Sequence, residues 1–139
     1  MSLGQTIPAM PVRDIAAAVA CYRDRLGFTV VHQDTGFAVL IQDAAEVHLW
    51  EASDEGWRGR DGSDSPVCSG AESFIAGTAS FRVAVDDVDG LYTEIAAAGV
   101  LHYADRGAPV DTDYGTREFA ATDVDGNLVT FFRRDVPRA

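Results

Sequence analysis

"MPVRDIAAAVACYRDRLGF" (residues 10–28) and "SFRVAVDDVDGLYTEIAAAGV" (residues 80–100) follow one plan. Val12 and Val85, Asp14 and Asp87, and Ile15 and Val88 coincide at a constant offset of 73. Phe81, Val83 and Val85 alternate as a strand does. Asp14 and Asp87 then stand where an N-cap is wanted, because a short carboxylate can accept from the free N–H groups of a first helical turn. Ile15, Ala18, Val19, Tyr22 and Leu26 recur at helical spacing, as do Val88, Leu91, Tyr92 and Ile95. Gly27 and Gly99 fall where a helix ends in a left-handed residue.

Working outward, each copy is followed by three strand-like runs. After the first come "FTVVHQ" (28–33), "GFAVLIQ" (36–42) and "EVHLWEA" (46–52). After the second come "VLHYAD" (100–105), "REFAATD" (117–123) and "NLVTFF" (127–132), with Asp125-Gly126 supplying a tight turn. The order is strand, helix, three strands, twice over. The expected fold is therefore α+β: one domain over 1–139, built of two βαβββ modules at 5–53 and 78–135. The two form a curved mixed sheet with a concave cleft and the helices outside. The connecting loop, 54–77, is rich in Gly, Ser and Asp and too long for a plain turn. Its Trp57 either tucks onto the domain or covers a ligand.

Composition narrows the function. There are 22 acids against 11 bases, every base is Arg, and the net charge is −11. That balance argues against nucleic acid and against anionic membranes, both of which need Lys/Arg neutralisation. It would attract a cationic ligand, more strongly at low salt. No apolar run approaches the ~18 residues of a membrane helix, and no basic-then-apolar signal segment opens the chain. A cytoplasmic location is the expectation, with Cys21 and Cys68 as free thiols.

Strand parity assigns the cleft. Ser80, Arg82, Ala84 and Asp86 face it, as do Glu46, His48 and Trp50, and Leu128, Thr130 and Phe132. This face offers one imidazole, one guanidinium, two hydroxyls and two large aromatics, but few carboxylates. A catalytic zinc site wants about three protein ligands plus an open position, and His48 alone does not supply them. Arg82 could hold an acidic ligand group or pair with Asp86 or Glu118. The chain carries no G-x-S-x-G, no P-loop and no G-x-G-x-x-G.

These residues resemble the vicinal oxygen chelate superfamily, which includes glyoxalase I, extradiol dioxygenases and bleomycin-resistance proteins. "IPAMPVRDIAAAVACYRDRLGF" (7–28), "GFAVLIQDAAEVHLWEA" (36–52) and "YGTREFAATDVDGNLVTFF" (114–132) are similar to the bleomycin branch. In metal-dependent members four cleft positions carry His or Glu ligands. The resemblance places these at Ile7, His48, Ser80 and Thr130, so three of the four lack the family's ligand. It therefore implies a metal-free binding protein. Such proteins are homodimers that sequester a planar, cationic drug in grooves between subunits, aided by exchange of the N-terminal strand. Phe37 and Tyr114 take the places of the stacking rings. Tyr114 is Trp in the best-known members, and Thr116 is an extra residue between Gly115 and Arg117.

The expected ligand-binding residues are thus Phe37, His48, Trp50, Arg82, Tyr114 and Phe132, with no catalytic residue and no cofactor. The expected partners are a small, bleomycin-like molecule and a second copy of the chain. Two other readings stay open. One is an enzyme of the same fold, either holding a divalent metal through His48 with Glu46 or Glu118, or using His48 as a general base. The other is a non-catalytic regulatory module.

Overall fold

The computed structural model describes residues 1–52 and 76–135. Trp57, Cys68 and nearly all of the connecting loop lie outside the described residues. The first module runs β1 (Ala9–Val12), α1 (Ile15–Asp24), β2 (Thr29–Gln33), β3 (Phe37–Gln42) and β4 (Ala45–Glu51). The second runs β5 (Ser80–Ala84), α2 (Val88–Ala98), β6 (Val110–Asp111), β7 (Thr116–Thr122) and β8 (Leu128–Arg134). The eight strands form two four-stranded mixed sheets, ordered β1-β4-β3-β2 and β5-β8-β7-β6. Among the described residues no backbone ladder joins them. The expected curved sheet is thus two open sheets of identical topology.

Both helices start as their caps dictate. Asp14 accepts from the Ala16 N–H at 3.3 Å, and Asp87 from Gly90 at 3.0 Å. α2 ends at Gly99, whose φ of +76° is left-handed and costs a glycine little. α1 ends earlier than its glycine suggests: Arg25 is its C-cap, and the left-handed turn at Gly27 follows two residues later.

The duplication extends to the register. Ala9 pairs His48 and Pro11 pairs Trp50, while Arg82 pairs Thr130 and Ala84 pairs Phe132. On β3 and β7, Phe37 pairs Trp50 and Glu118 pairs Phe132. Trp50 and Phe132 therefore occupy equivalent ladder positions, as do His48 and Thr130, and Phe37 and Glu118. The helix-side residues follow the expected parity. Val47, Leu49, Val129 and Phe131 are buried, and Phe81, Val83 and Val85 pack against them. One apolar cluster draws on both modules. A register shift between Val30 and His32 breaks the alternation in β2 and leaves Val31 exposed.

Two expected elements differ. "VLHYAD" is not a strand: only Leu101 bridges, to Ala121, and the chain turns at once. The cause is local polar competition. His102 Nδ1 accepts from the Ala104 N–H, and Asp105 accepts from the Gly107 N–H and from the Tyr92 hydroxyl at 2.7 Å. The edge strand forms later, at Val110–Asp111. The 123–127 connection is five residues long, with Gly126 at φ +93°, and is more than a turn. Asn127 is fully buried. Its amide donates to the Pro11 carbonyl at 2.8 Å and to Asp123 at 2.9 Å, and it accepts from the N–H groups of Gly77 and Ala79. Asp123 also accepts the Tyr22 hydroxyl at 3.0 Å.

This buried set ties the second module's hairpin to β1 and α1 of the first. Leaving its members unpaired in the interior is expensive. Asn127→Ala is expected to cost about 3 kcal/mol, and Tyr22→Phe about 1–2 kcal/mol. Urea unfolding followed by circular dichroism checks both; a loss under about 0.5 kcal/mol for Asn127→Ala would show that the network is not holding the modules.

Candidate functional site

The face of each sheet opposite its helix stays partly open, and the six candidate side chains divide between the two faces. On the first sheet, β3 and β4 bring Phe37, His48 and Trp50 together. Phe37 meets the His48 ring edge-on at 5.2 Å between centroids and pairs with Trp50 in the ladder. The His48 Nε2 lies 2.7 Å from a Glu46 carboxylate oxygen. All four are half-buried. Val39 and Ile41, also half-buried, share the face by register, so it is apolar and aromatic around one imidazole–carboxylate pair.

The second sheet's face is built of different groups at the same ladder positions. Arg82 donates to Glu118 at 2.7 Å, which settles its partner as Glu118 and not Asp86. The Tyr114 hydroxyl donates to Glu118 at 2.8 Å, and so does the Thr116 hydroxyl at 2.9 Å. Burial alone would raise the Glu118 carboxyl. The hydrogen bonds from Arg82, Tyr114 and Thr116 outweigh it and hold the group below the ordinary glutamate range. The same pairing raises Arg82. Phe132 lies on this face as parity requires, but it is only 8% exposed. The Arg82 guanidinium sits 4.8 Å from its ring centroid and that of Arg134 5.2 Å. A ligand would meet those guanidiniums before the ring. Tyr114, by contrast, is 64% exposed.

Between the two clusters lies a recess of about 320 Å³, lined among others by Gln5, Thr6, Pro8, Glu46 and Arg82. It brings one member of each cluster to a common edge. The N-terminal segment forms one wall, held by the His48 N–H donating to the Pro8 carbonyl at 3.0 Å. The larger cleft, about 810 Å³, lies between the chain leaving α1, the β3–β4 turn, the end of β5 and α2, and touches none of the six residues.

The four positions that the resemblance assigns to metal ligands hold an aliphatic side chain, an imidazole and two hydroxyls: Ile7, His48, Ser80 and Thr130. Ile7 is partly exposed, Thr130 is buried, and the His48 Nε2 is taken by Glu46. That donor set does not fit a divalent ion. Among the described residues no group of three or more His, Cys, Asp or Glu side chains could hold a metal. Two contributors escaped the sequence reading. Arg134 continues the β8 parity one step past Phe132, and Thr116 was read only as an extra loop residue.

Comparison with known proteins agrees with this architecture. The family profile described as "Glyoxalase/Bleomycin resistance protein/Dioxygenase superfamily" matches residues 4–131. The chain is 52% identical over 130 residues to a bleomycin resistance protein from Geobacillus stearothermophilus, covering 94% of this chain and 96% of that one. The same figures hold for a bleomycin resistance protein from Staphylococcus aureus. A solved bleomycin-binding protein from bleomycin-producing Streptomyces verticillus, complexed with copper(II)-bleomycin, superposes with a TM-score of 0.68. It is 26% identical and covers 94% of this chain and 96% of that one.

The Glu118 hub gives a pH test. A carboxyl whose folded-state pKa lies below its unfolded value stabilises the fold above the unfolded value, about 4.3 for Glu. That contribution is lost as pH falls through the folded-state value. Glu118→Gln is expected to cost about 1–2 kcal/mol at neutral pH. The gap to wild type should narrow as pH drops below about 4. Denaturant midpoints of both proteins across that window check it; a gap that does not change with pH would mean that Glu118 ionisation contributes nothing.

Proposed function

The chain belongs to the glyoxalase/bleomycin resistance protein/dioxygenase superfamily, and from that premise we infer that it is a bleomycin-resistance binding protein. It sequesters a planar, cationic, bleomycin-like molecule and makes or breaks no bond. The observation that carries this reading is the 52% identity to bleomycin resistance proteins across nearly the whole chain. The site chemistry supports it. Phe37, Trp50 and Tyr114 offer partly exposed rings, and three of the four ligand positions of the family's metal-dependent members hold groups other than His or Glu.

The reading includes a homodimer. One chain carries an aromatic face on one sheet and a polar, guanidinium-bearing face on the other, and no hydrogen bond or ring contact among the described residues joins the six candidates across the seam. A groove in which the first face of one subunit opposes the second face of its partner would bring rings to both sides of a flat ligand. Each stacked ring contributes about 0.5–1.5 kcal/mol beyond burial, so affinity would rest on several rings together. The net charge of −11 draws the cation in at long range. The protein works without a metal of its own, in the cytoplasm. No helix among the described residues is long and apolar enough to cross a membrane.

Calorimetric titration with metal-free and copper-loaded bleomycin tests the function. Saturable binding is expected, weakened about tenfold or more by Trp50→Ala, which removes both buried ring area and stacking. Absence of heat at tens of micromolar protein would overturn the drug assignment. Elemental analysis of protein purified without a histidine tag tests the metal-free reading, which a stoichiometric divalent ion would refute.

A further inference from the structure

The outer face of the second sheet is locally cationic in an acidic protein. Register places Arg82, Phe132, Arg134 and Glu118 on that face. Within the paired strands two guanidiniums stand with one carboxylate, Glu118, and Asp86 follows on the same parity just past β5. Both guanidiniums stand within 5.2 Å of the same ring centroid. Glu118 is committed to Arg82, Tyr114 and Thr116. At the edges of this face, Asp135 is engaged by Arg133 at 3.0 Å and Asp86 accepts from the Asp87 N–H at 2.8 Å. Arg134 is exposed, and its guanidinium, 5.2 Å from the Phe132 ring centroid, has no hydrogen bond or ion pair among the described residues.

The Phe132 ring quadrupole attracts both guanidiniums. The Arg134 guanidinium is itself a planar fork of N–H donors, and its set is unspent. Such a fork matches the oxygens of a carboxylate, sulfate or phosphate in a bidentate geometry. We propose that Arg134, with Arg82 and the Phe132 ring behind them, forms an oxyanion-binding subsite on this face. It takes a free inorganic oxyanion or the acidic group of an organic ligand. The subsite goes beyond the drug-binding reading, which calls for a cation and assigns no role to Arg134.

The test follows the arginine side-chain Nε–Hε resonances of the full chain at constant ionic strength, with sulfate, acetate and benzoate titrated separately. Saturable shifts at Arg134 and Arg82, with Arg23 on α1 unmoved, are expected. Arg134→Gln should weaken the anion roughly tenfold or more, as loss of a charge-assisted hydrogen bond does. Benzoate binding more tightly than acetate would identify an organic acid as the occupant, and equal binding with sulfate strongest would identify a free oxyanion. Shifts that grow linearly and alike at all arginines, or a saturable shift at Arg82 unchanged in Arg134→Gln, would overturn the subsite. The drug groove shares Arg82 and Phe132, so bleomycin titration of Arg134→Gln separates the two: loss of the anion with the drug retained assigns the subsite alone, and loss of the drug from wild type with the anion retained refutes the drug reading alone.

Discussion

The buried contact of Asn127 and Asp123 with the first module is the constraint on which the rest of the structure depends. A βαβββ unit buries one sheet face under its own helix, and nothing in that plan says where a second unit must sit. Asn127 supplies the missing specification. Its amide reaches the Pro11 carbonyl on β1 and Asp123, its oxygen receives the chain entering β5, and Asp123 takes the Tyr22 hydroxyl from α1. Burial and the neighbouring Asp123 hold that hydroxyl well above the ordinary tyrosine range, so it remains a donor. Apolar surfaces slide against one another at little cost, whereas a buried amide with fixed partners tolerates one arrangement. Gly77 adds to the constraint. A Cβ there would collide with the Asp125 carbonyl oxygen, at a φ of +88°.

Once the modules are locked, duplication yields two faces with one geometry and different chemistry. Phe37, His48 and Trp50 stand where the second module has Glu118, Thr130 and Phe132. The first face gains dispersion and stacking surface; the second gains hydrogen-bond donors and charge. Neither shift disturbs the core, because strand alternation insulates the outer residues from Val47, Leu49, Val129 and Phe131 beneath them. Binding chemistry can thus diverge on one face of a strand while the fold is conserved on the other.

The same insulation explains what could be read from the residues alone. The strands, the caps at Asp14 and Asp87 and the helix-side parity were legible because each is a local pattern with a period. The pairing of Arg82 with Glu118 was within reach because both lie on strands of known parity. The Asn127 network was not, since its sequence, Asp-x-Asp-Gly-Asn, reads equally well as a turn, and its partners lie over a hundred residues away at Pro11 and Tyr22. "VLHYAD" misled for the opposite reason. Its alternation suits a strand, but His102 and Asp105 spend their hydrogen-bonding groups on the local chain and on Tyr92. Parity puts Phe132 on the outer face but says nothing about which long side chain folds over its neighbour, so its cover by Arg82 and Arg134 is not legible in the residues.

That covering changes how the charge of the protein should be understood. A net charge of −11 suggests a surface uniformly receptive to cations. Screening at physiological ionic strength limits such an average field to about 8 Å. Within that distance the groups actually present decide, and on the second sheet they include the guanidiniums of Arg82 and Arg134 beside Glu118, a carboxylate already shared three ways. The acidity therefore acts on approach, raising the local concentration of a cation, while the arginine fork acts on contact. A ligand satisfying both carries its positive charge away from Phe132 and presents an acceptor or a flat ring towards it. Far field and near contact on this sheet are thus opposed in sign.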